Sequence, residues 1–307
     1  MTFRKFLSKN WVPGVSALWL IALLATAFGL MFGHDIKAAP FNLLEKKTVV
    51  SSSVVVEIGE SGKHFAQQYK EMVVINDRNP GSHFYRINWP NDALGAIVVK
   101  NGSSSLVLDS VFSVLGDADD TYPEEGIASL SVSMGLPPRN NVLHDDARLK
   151  FYALLQRIQE AGWKRWIDPS MPRLNGADAL RYQMSDIENG AGLMSLDPSY
   201  VPSLDIWMKI KDMTGWQFYL NGVYMNVQLM RDKTRMDPNL PGAYFLTLGL
   251  ESKDSFERSE QTYEDRPRWK ELYPAARKKQ AEERVKSEEK LHALGFKIDT
   301  EYRNPDE

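Results

Sequence analysis

The spacing of apolar and polar positions divides this chain into stretches of unlike character. The first is an unbroken apolar run from Trp11 to Gly33, WVPGVSALWLIALLATAFGLMFG, which contains no charged side chain. At 1.5 Å per residue, about 20 such residues cross the hydrocarbon core of a bilayer. The run has no polar face for water, so it predicts a transmembrane helix rather than a surface helix of a domain. His34 to Thr48 mixes charges with Pro40, shows no period, and reads as a linker. Val49 to Ile58, rich in Val and Ser, predicts a strand. Gly59-Glu60-Ser61-Gly62 then turns into a helix from Lys63 to Met72, with Phe65, Tyr69 and Met72 at helical spacing. Asn79-Pro80-Gly81 and Trp89-Pro90-Asn91 mark the next stretch as loop-rich.

A strand-rich block follows. Ala96 to Val99 leads to Asn101-Gly102, a strong hairpin-turn pair, and then to a second strand from Leu106 to Leu115. Ala128, Leu130, Val132 and Met134 alternate with Ser129, Ser131 and Ser133, the clearest period-two pattern in the chain. It predicts an antiparallel sheet with one buried face and small hydroxyls on the other.

Beyond residue 137 the chain repeats one arrangement: a helix, a Gly, then an aromatic residue opening a strand. Asp145 or Asp146 is expected to cap a helix whose stripe is Phe151, Leu154, Leu155 and Ile158. Gly162 ends it, and Trp163, Trp166 and Ile167 follow. Ser203 caps Leu204 to Met213, Gly215 stops it, and Trp216 to Leu220 reaches an Asn221-Gly222 turn and a return strand, Val223 to Leu229. Gly242 to Leu250 supplies another strand. From Pro274 a charged helix of about 20 residues runs to Leu294 and Gly295, with a thin apolar stripe of Ala281, Val285, Leu291 and Leu294. The spacing of the repeats is irregular, so they read as ordinary Gly-terminated helices rather than an internal duplication. The fold class is α+β: an N-terminal single transmembrane helix, then antiparallel sheet with helices packed on one face.

Charge gives the anchor a direction. Arg4, Lys5 and Lys9 precede the apolar run and no acidic residue does, which places residues 1–10 in the cytoplasm and the rest across the membrane. Possible leader-cleavage sites, Ile36-Lys37-Ala38 and Ala25-Thr26-Ala27, fit poorly, so the segment is read as a retained anchor. The organisation is then a tail at 1–10, an anchor at 11–33, a linker at 34–48, a strand-rich part at 49–136, and an α+β part at 137–307. The expected location is a bacterial inner membrane, single-pass, with the C-terminal domain in the periplasm.

Composition removes several chemistries. The chain has no Cys, hence no disulfide, thiol nucleophile or thiolate metal site. A net charge of −3 argues against a nucleic-acid partner. Gly59-Glu60-Ser61-Gly62-Lys63 looks like the phosphate loop of G-protein α subunits. Glu57 stands where the first Gly belongs and His64 replaces the magnesium-binding hydroxyl, so it is read as a strand-to-helix turn. The His residues form no metal spacing, and hydrolase signatures are incomplete. No catalytic residue, cofactor or metal is assigned. The Trp and Tyr residues between Trp163 and Tyr224 read as core filling behind the Gly caps.

Two acidic groups remain as candidate partner-binding residues. Asp117, Asp119, Asp120, Glu124 and Glu125 crowd a loop between two strands, and Asp145 and Asp146 open a helix. The first group lacks the Gly and Glu of an EF-hand loop, and as a compact acidic patch it suits a basic protein partner. In architecture alone, the chain resembles tethered bacterial immunity proteins that block an incoming toxin. That resemblance implies a noncatalytic periplasmic binding protein. The alternatives are an accessory subunit of an envelope assembly or secretion complex, docked through the charged C-terminal helix, and an envelope hydrolase using dispersed carboxylates.

Overall fold

In the computed structural model the described residues are 53–77, 81–185 and 195–307. The predicted anchor and linker lie outside them. Among the described residues no helix is long and apolar enough to cross a membrane.

The strands are β1 (Val54–Glu57), β2 (Val73–Asn76), β3 (Ser82–Asn88), β4 (Gly95–Asn101), β5 (Ser104–Asp119), β6 (Ser129–Gly135), β7 (Val142–Leu143), β8 (Lys164–Arg165), β9 (Thr214–Leu220), β10 (Val223–Arg231), β11 (Pro241–Gly242) and β12 (Tyr244–Ser252). The helices are α1 (Gly62–Gln68), α2 (His144–Glu160), α3 (Gly176–Met184), α4 (Leu204–Trp207), α5 (Lys253–Ser259) and α6 (Trp269–Ala293). One 10-stranded sheet runs in the order β1-β4-β5-β6-β12-β10-β9-β8, with the β2–β3 hairpin added beside β5. The class is α+β, as the sequence predicts.

The alternation in β6 sets the register of the whole sheet. Leu130, Val132 and Met134 sit opposite Leu250, Leu248 and Leu246 of β12. Those in turn face Met225, Val227 and Leu229 of β10, so the apolar positions of successive strands line one face. α2 lays Phe151, Leu154, Leu155 and Ile158 on that face, and the Phe151 ring meets Trp216 at 4.6 Å. Trp163, Trp166, Trp207, Trp216 and Phe218 are all buried, in keeping with core filling.

The other face carries Ser129, Ser131 and Ser133 beside Glu251, Gly249 and Thr247. It is not left bare of helices, which corrects the expectation that they pack on one side. Tyr224 lies on this face opposite Glu251, and Phe256 of α5 packs on its ring at 4.3 Å. One aromatic residue at an otherwise polar register position thus gives α5 a landing point.

Several elements depart from the periodicity. β2 and β3 occupy a stretch expected to be loop, because the flanking Pro and Gly signals mask a short, weakly alternating pair. α1 ends early so that the Tyr69 hydroxyl can bridge the Val55 amide and carbonyl on the edge of β1. α4 stops at Trp207, and Gly215 lies inside β9 rather than at a helix end. A Cβ there would stand 2.9 Å from the Asn226 side-chain oxygen, so close cross-strand packing explains this Gly. α6 begins at Trp269, ahead of Pro274, because Trp269 is buried and fixes the first turn. Of its expected stripe only Leu291 is buried, whereas Val285 and Leu294 are 52% and 53% exposed.

Polar contacts hold α6 instead. Arg173 reaches Glu288 with Nε at 2.8 Å and Nη2 at 2.7 Å, and Arg284 donates to the carbonyls of Ile167, Asp168 and Met171.

Candidate functional site

The sequence-selected carboxylates do not form one loop. β5 runs 16 residues and carries Asp117 and Asp119 within the strand, because β3 and β6 pair with its far half. Asp117 faces Ser129 on β6, and Ser129 faces Glu251 on β12. Burial, and then the charge of Asp119, push the Asp117 carboxyl up to about 6. Burial likewise pushes Glu251 up to about 7, against the hydrogen bond from Ser255. Asp117 is therefore part of a desolvated row on the sheet.

Glu125 is also spent internally. It sits in a short 3-10 turn, Pro123–Glu125, and takes both guanidinium nitrogens of Arg258 at 2.6 and 2.8 Å. The same guanidinium lies over the Tyr122 ring at 3.5 Å. Glu124 beside it is exposed.

Asp145 and Asp146 are in the first turn of α2, and neither caps it: the capping position is Leu143, with no side-chain bond. The backbone enters the helix straight from β7, at least two residues earlier than the polar pair suggests. Both carboxylates still favour the positive helix end, and Asp145 pairs with Arg148 at 2.6 Å. The preceding His144 is buried against Tyr244, at 2.5 Å from its hydroxyl, with its pKa lowered by burial and by Arg231. α2 starts beyond Gly135, at the opposite end of β6 from Asp117, so the acidic groups are separated by about 20 Å of strand.

What the fold assembles is a different cluster. Asp120 follows the end of β5, and its carboxylate meets Nε2 of His83 at 2.9 Å. Nδ1 of the same ring meets Asp77 at 2.8 Å, and Asp77 continues β2 directly opposite His83. The hydrogen bond to Asp77, then the one to Asp120, raise the His83 pKa above its ordinary value. Asp77 and Asp120 remain 57% and 64% exposed. Asp119 accepts from the Thr121 amide at 2.7 Å and belongs to the other face of the sheet, with Asp117.

Beside this acidic end lies a sheet edge that no other described strand covers. Among the described residues β2 pairs only with β3. Its middle residues, Val74 and Ile75, are 60% and 47% exposed on opposite faces. The Val73 amide donates away from β3, to the Tyr69 carbonyl at 2.8 Å. Backbone direction alternates along a strand, so the amide and carbonyl of Ile75 also point outward. The edges at β1 and β8 are plugged. On β1 the Tyr69 hydroxyl serves both backbone groups of Val55. Beyond β8 the Tyr302 hydroxyl accepts from Ile167 and donates to Arg165.

No sequence pattern points to Asp77, His83, Val74 or Ile75, because the strand pairing that brings His83 to two carboxylates leaves no short motif. Among the described residues no His, Asp and Glu group has the arrangement of a metal site. A hollow of about 400 Å³ between α2 and residues 198–201, lined by Leu149, Tyr152, Gln156, Pro198 and Val201, has no carboxylate in its wall.

No family model, no curated protein and no solved structure matches this chain.

Proposed function

We propose that this chain is a noncatalytic binding protein of the bacterial envelope, anchored in the inner membrane by residues 11–33 with its folded domain in the periplasm. The partner is a protein, and the specific form of the proposal is immunity: the domain binds an incoming toxin and neutralises it. One observation carries this reading. Exposed Val74 and Ile75 lie beside Asp77, with Asp120 across β3, an apolar centre with a charged rim. Protein interfaces have that composition, and a compact acidic patch speeds encounter with a basic partner.

The test uses the full chain in detergent as bait against envelope and secreted proteins of its own species and of competing strains. One stoichiometric protein should be retained. Reversing charge with Asp77→Lys and Asp120→Lys should weaken its capture at least about tenfold, and co-expression of the chain should suppress that protein's toxicity. A bait that retains nothing counts against the whole reading.

Exposed Val285 and Leu294 on α6 favour a second reading, an accessory subunit of an envelope assembly or secretion complex. A captured structural subunit rather than a toxin selects it.

A further inference from the structure

From the uncovered edge of β2 we infer that the protein partner binds by strand addition: it supplies an extended segment that pairs with β2, apolar where it passes Val74 and Ile75 and cationic where it reaches Asp77. This deepens the binding reading above and rests on it.

The geometry carries the inference in three ways. Ile75 presents an outward amide and carbonyl, and a partner residue set opposite it exchanges both hydrogen bonds, as in any antiparallel pair. The edges at β1 and β8 are plugged by Tyr69 and Tyr302, whereas β2 has no plug among the described residues, nor within the strand the lysines and prolines that blunt exposed edges. Charge then selects the occupant. Asp77 ends this edge, with Asp120 beyond β3, and His83 is shared between the two carboxylates. Among the described residues no lysine or arginine pairs with either, so a cation on the incoming strand meets Asp77 without displacing one. On the opposite face Val74 sits across from Arg86, whose guanidinium is lowered in pKa by burial. An apolar residue suits that side and a second cation does not.

The experiment measures fluorescence anisotropy with the full chain and labelled peptides. The probes are a hexapeptide with lysine at its first two positions and valine at the other four, its glutamate counterpart, and a copy of the first N-methylated along one edge. The lysine peptide should bind at least about tenfold more tightly than the other probes, and added salt should weaken it. Ile75→Pro should abolish binding while leaving the fold intact, since the lost amide points to solvent and proline is tolerated on an edge. Should Ile75→Pro fail to fold, Val74→Lys changes an exposed side chain and should weaken binding at least about fivefold.

Equal binding of the glutamate or N-methylated peptide overturns the proposal. So does no binding of the lysine peptide, or binding that survives the edge variants in folded protein. Sedimentation that shows a dimer broken by Ile75→Pro also overturns it, because the occupant is then a second copy of the chain. If the bait captures a protein and Ile75→Pro does not affect capture, strand addition fails while protein binding stands. If nothing is captured, the binding reading itself fails.

Discussion

Individual carboxyls report how far burial has overridden their ordinary chemistry. Asp117 and Glu251 are each pushed upward by burial, to about 6 and about 7. A group whose folded pKa lies above its unfolded one binds more protons when folded. Its favourable contribution is complete below the unfolded value and is lost as pH rises through the folded value. These groups therefore make the domain lose stability between about pH 4 and pH 7. His83, also raised, acts in the same direction from about pH 6.5 upward. Glu288 has the opposite sign: burial opposes its charge, but the bonds from Arg173 hold its pKa low, so its contribution disappears as pH falls. Asp117→Asn removes a charge that is costly at neutral pH. It should raise stability by about 1 kcal/mol at pH 8 and have little effect at pH 4, as measured by urea unfolding at both values.

At the scale of elements, glycine at two helix ends does what the sequence pattern implies. After α2, the Gly162 amide donates to Gln159 and the Trp163 amide to Ile158, with Gly162 at φ 96°. After α6, the Gly295 amide donates to His292 and the Phe296 amide to Leu291, with Gly295 at φ 79°. Each is a Schellman closure in which the aromatic residue folds back on the last turn. Gly162→Ala and Gly295→Ala should each cost about 1 kcal/mol, read as a lowered thermal midpoint. Gly215→Ala acts by another route, pushing a Cβ toward Asn226 across the β9–β10 pair, so it should loosen that pair without disturbing a helix.

For the whole molecule, the decisive contacts are polar and distant in sequence. α6 is long and charged, with 25 residues, yet it joins the domain through Arg173 to Glu288, Arg284 to carbonyls near Ile167, and Arg277 to Asp306. Arg173→Ala strands the Glu288 carboxylate in a largely buried position. It should cost about 2 kcal/mol and increase hydrogen exchange first in α6. Deleting Lys278 onward is a poor probe of partner docking for the same reason, because it removes contacts that hold residues 167–173 in place. Point changes at exposed Val285 test docking without that loss.

The fold was legible wherever a pattern is local. The strict alternation of β6, the Asn101-Gly102 and Asn221-Gly222 turns, and the stripe of α2 each fix a conformation through neighbouring residues, and each is present in the structure. The candidate site was not legible to the same degree. Asp120 is legible as one of an acidic group, but Asp77 and His83 join it only when β2, β3 and β5 pair. Asp117 and Glu125 left the patch because burial and Arg258 claimed them. By itself the sequence determined the α+β class, the apolar face of the sheet and the absence of thiol chemistry, since periodicity and composition act residue by residue. Tertiary structure alone decided which carboxylates stay exposed, what holds α6, and which strand edge lacks a cover. Those outcomes depend on partners more than a hundred positions away in several cases, and no local spacing encodes them.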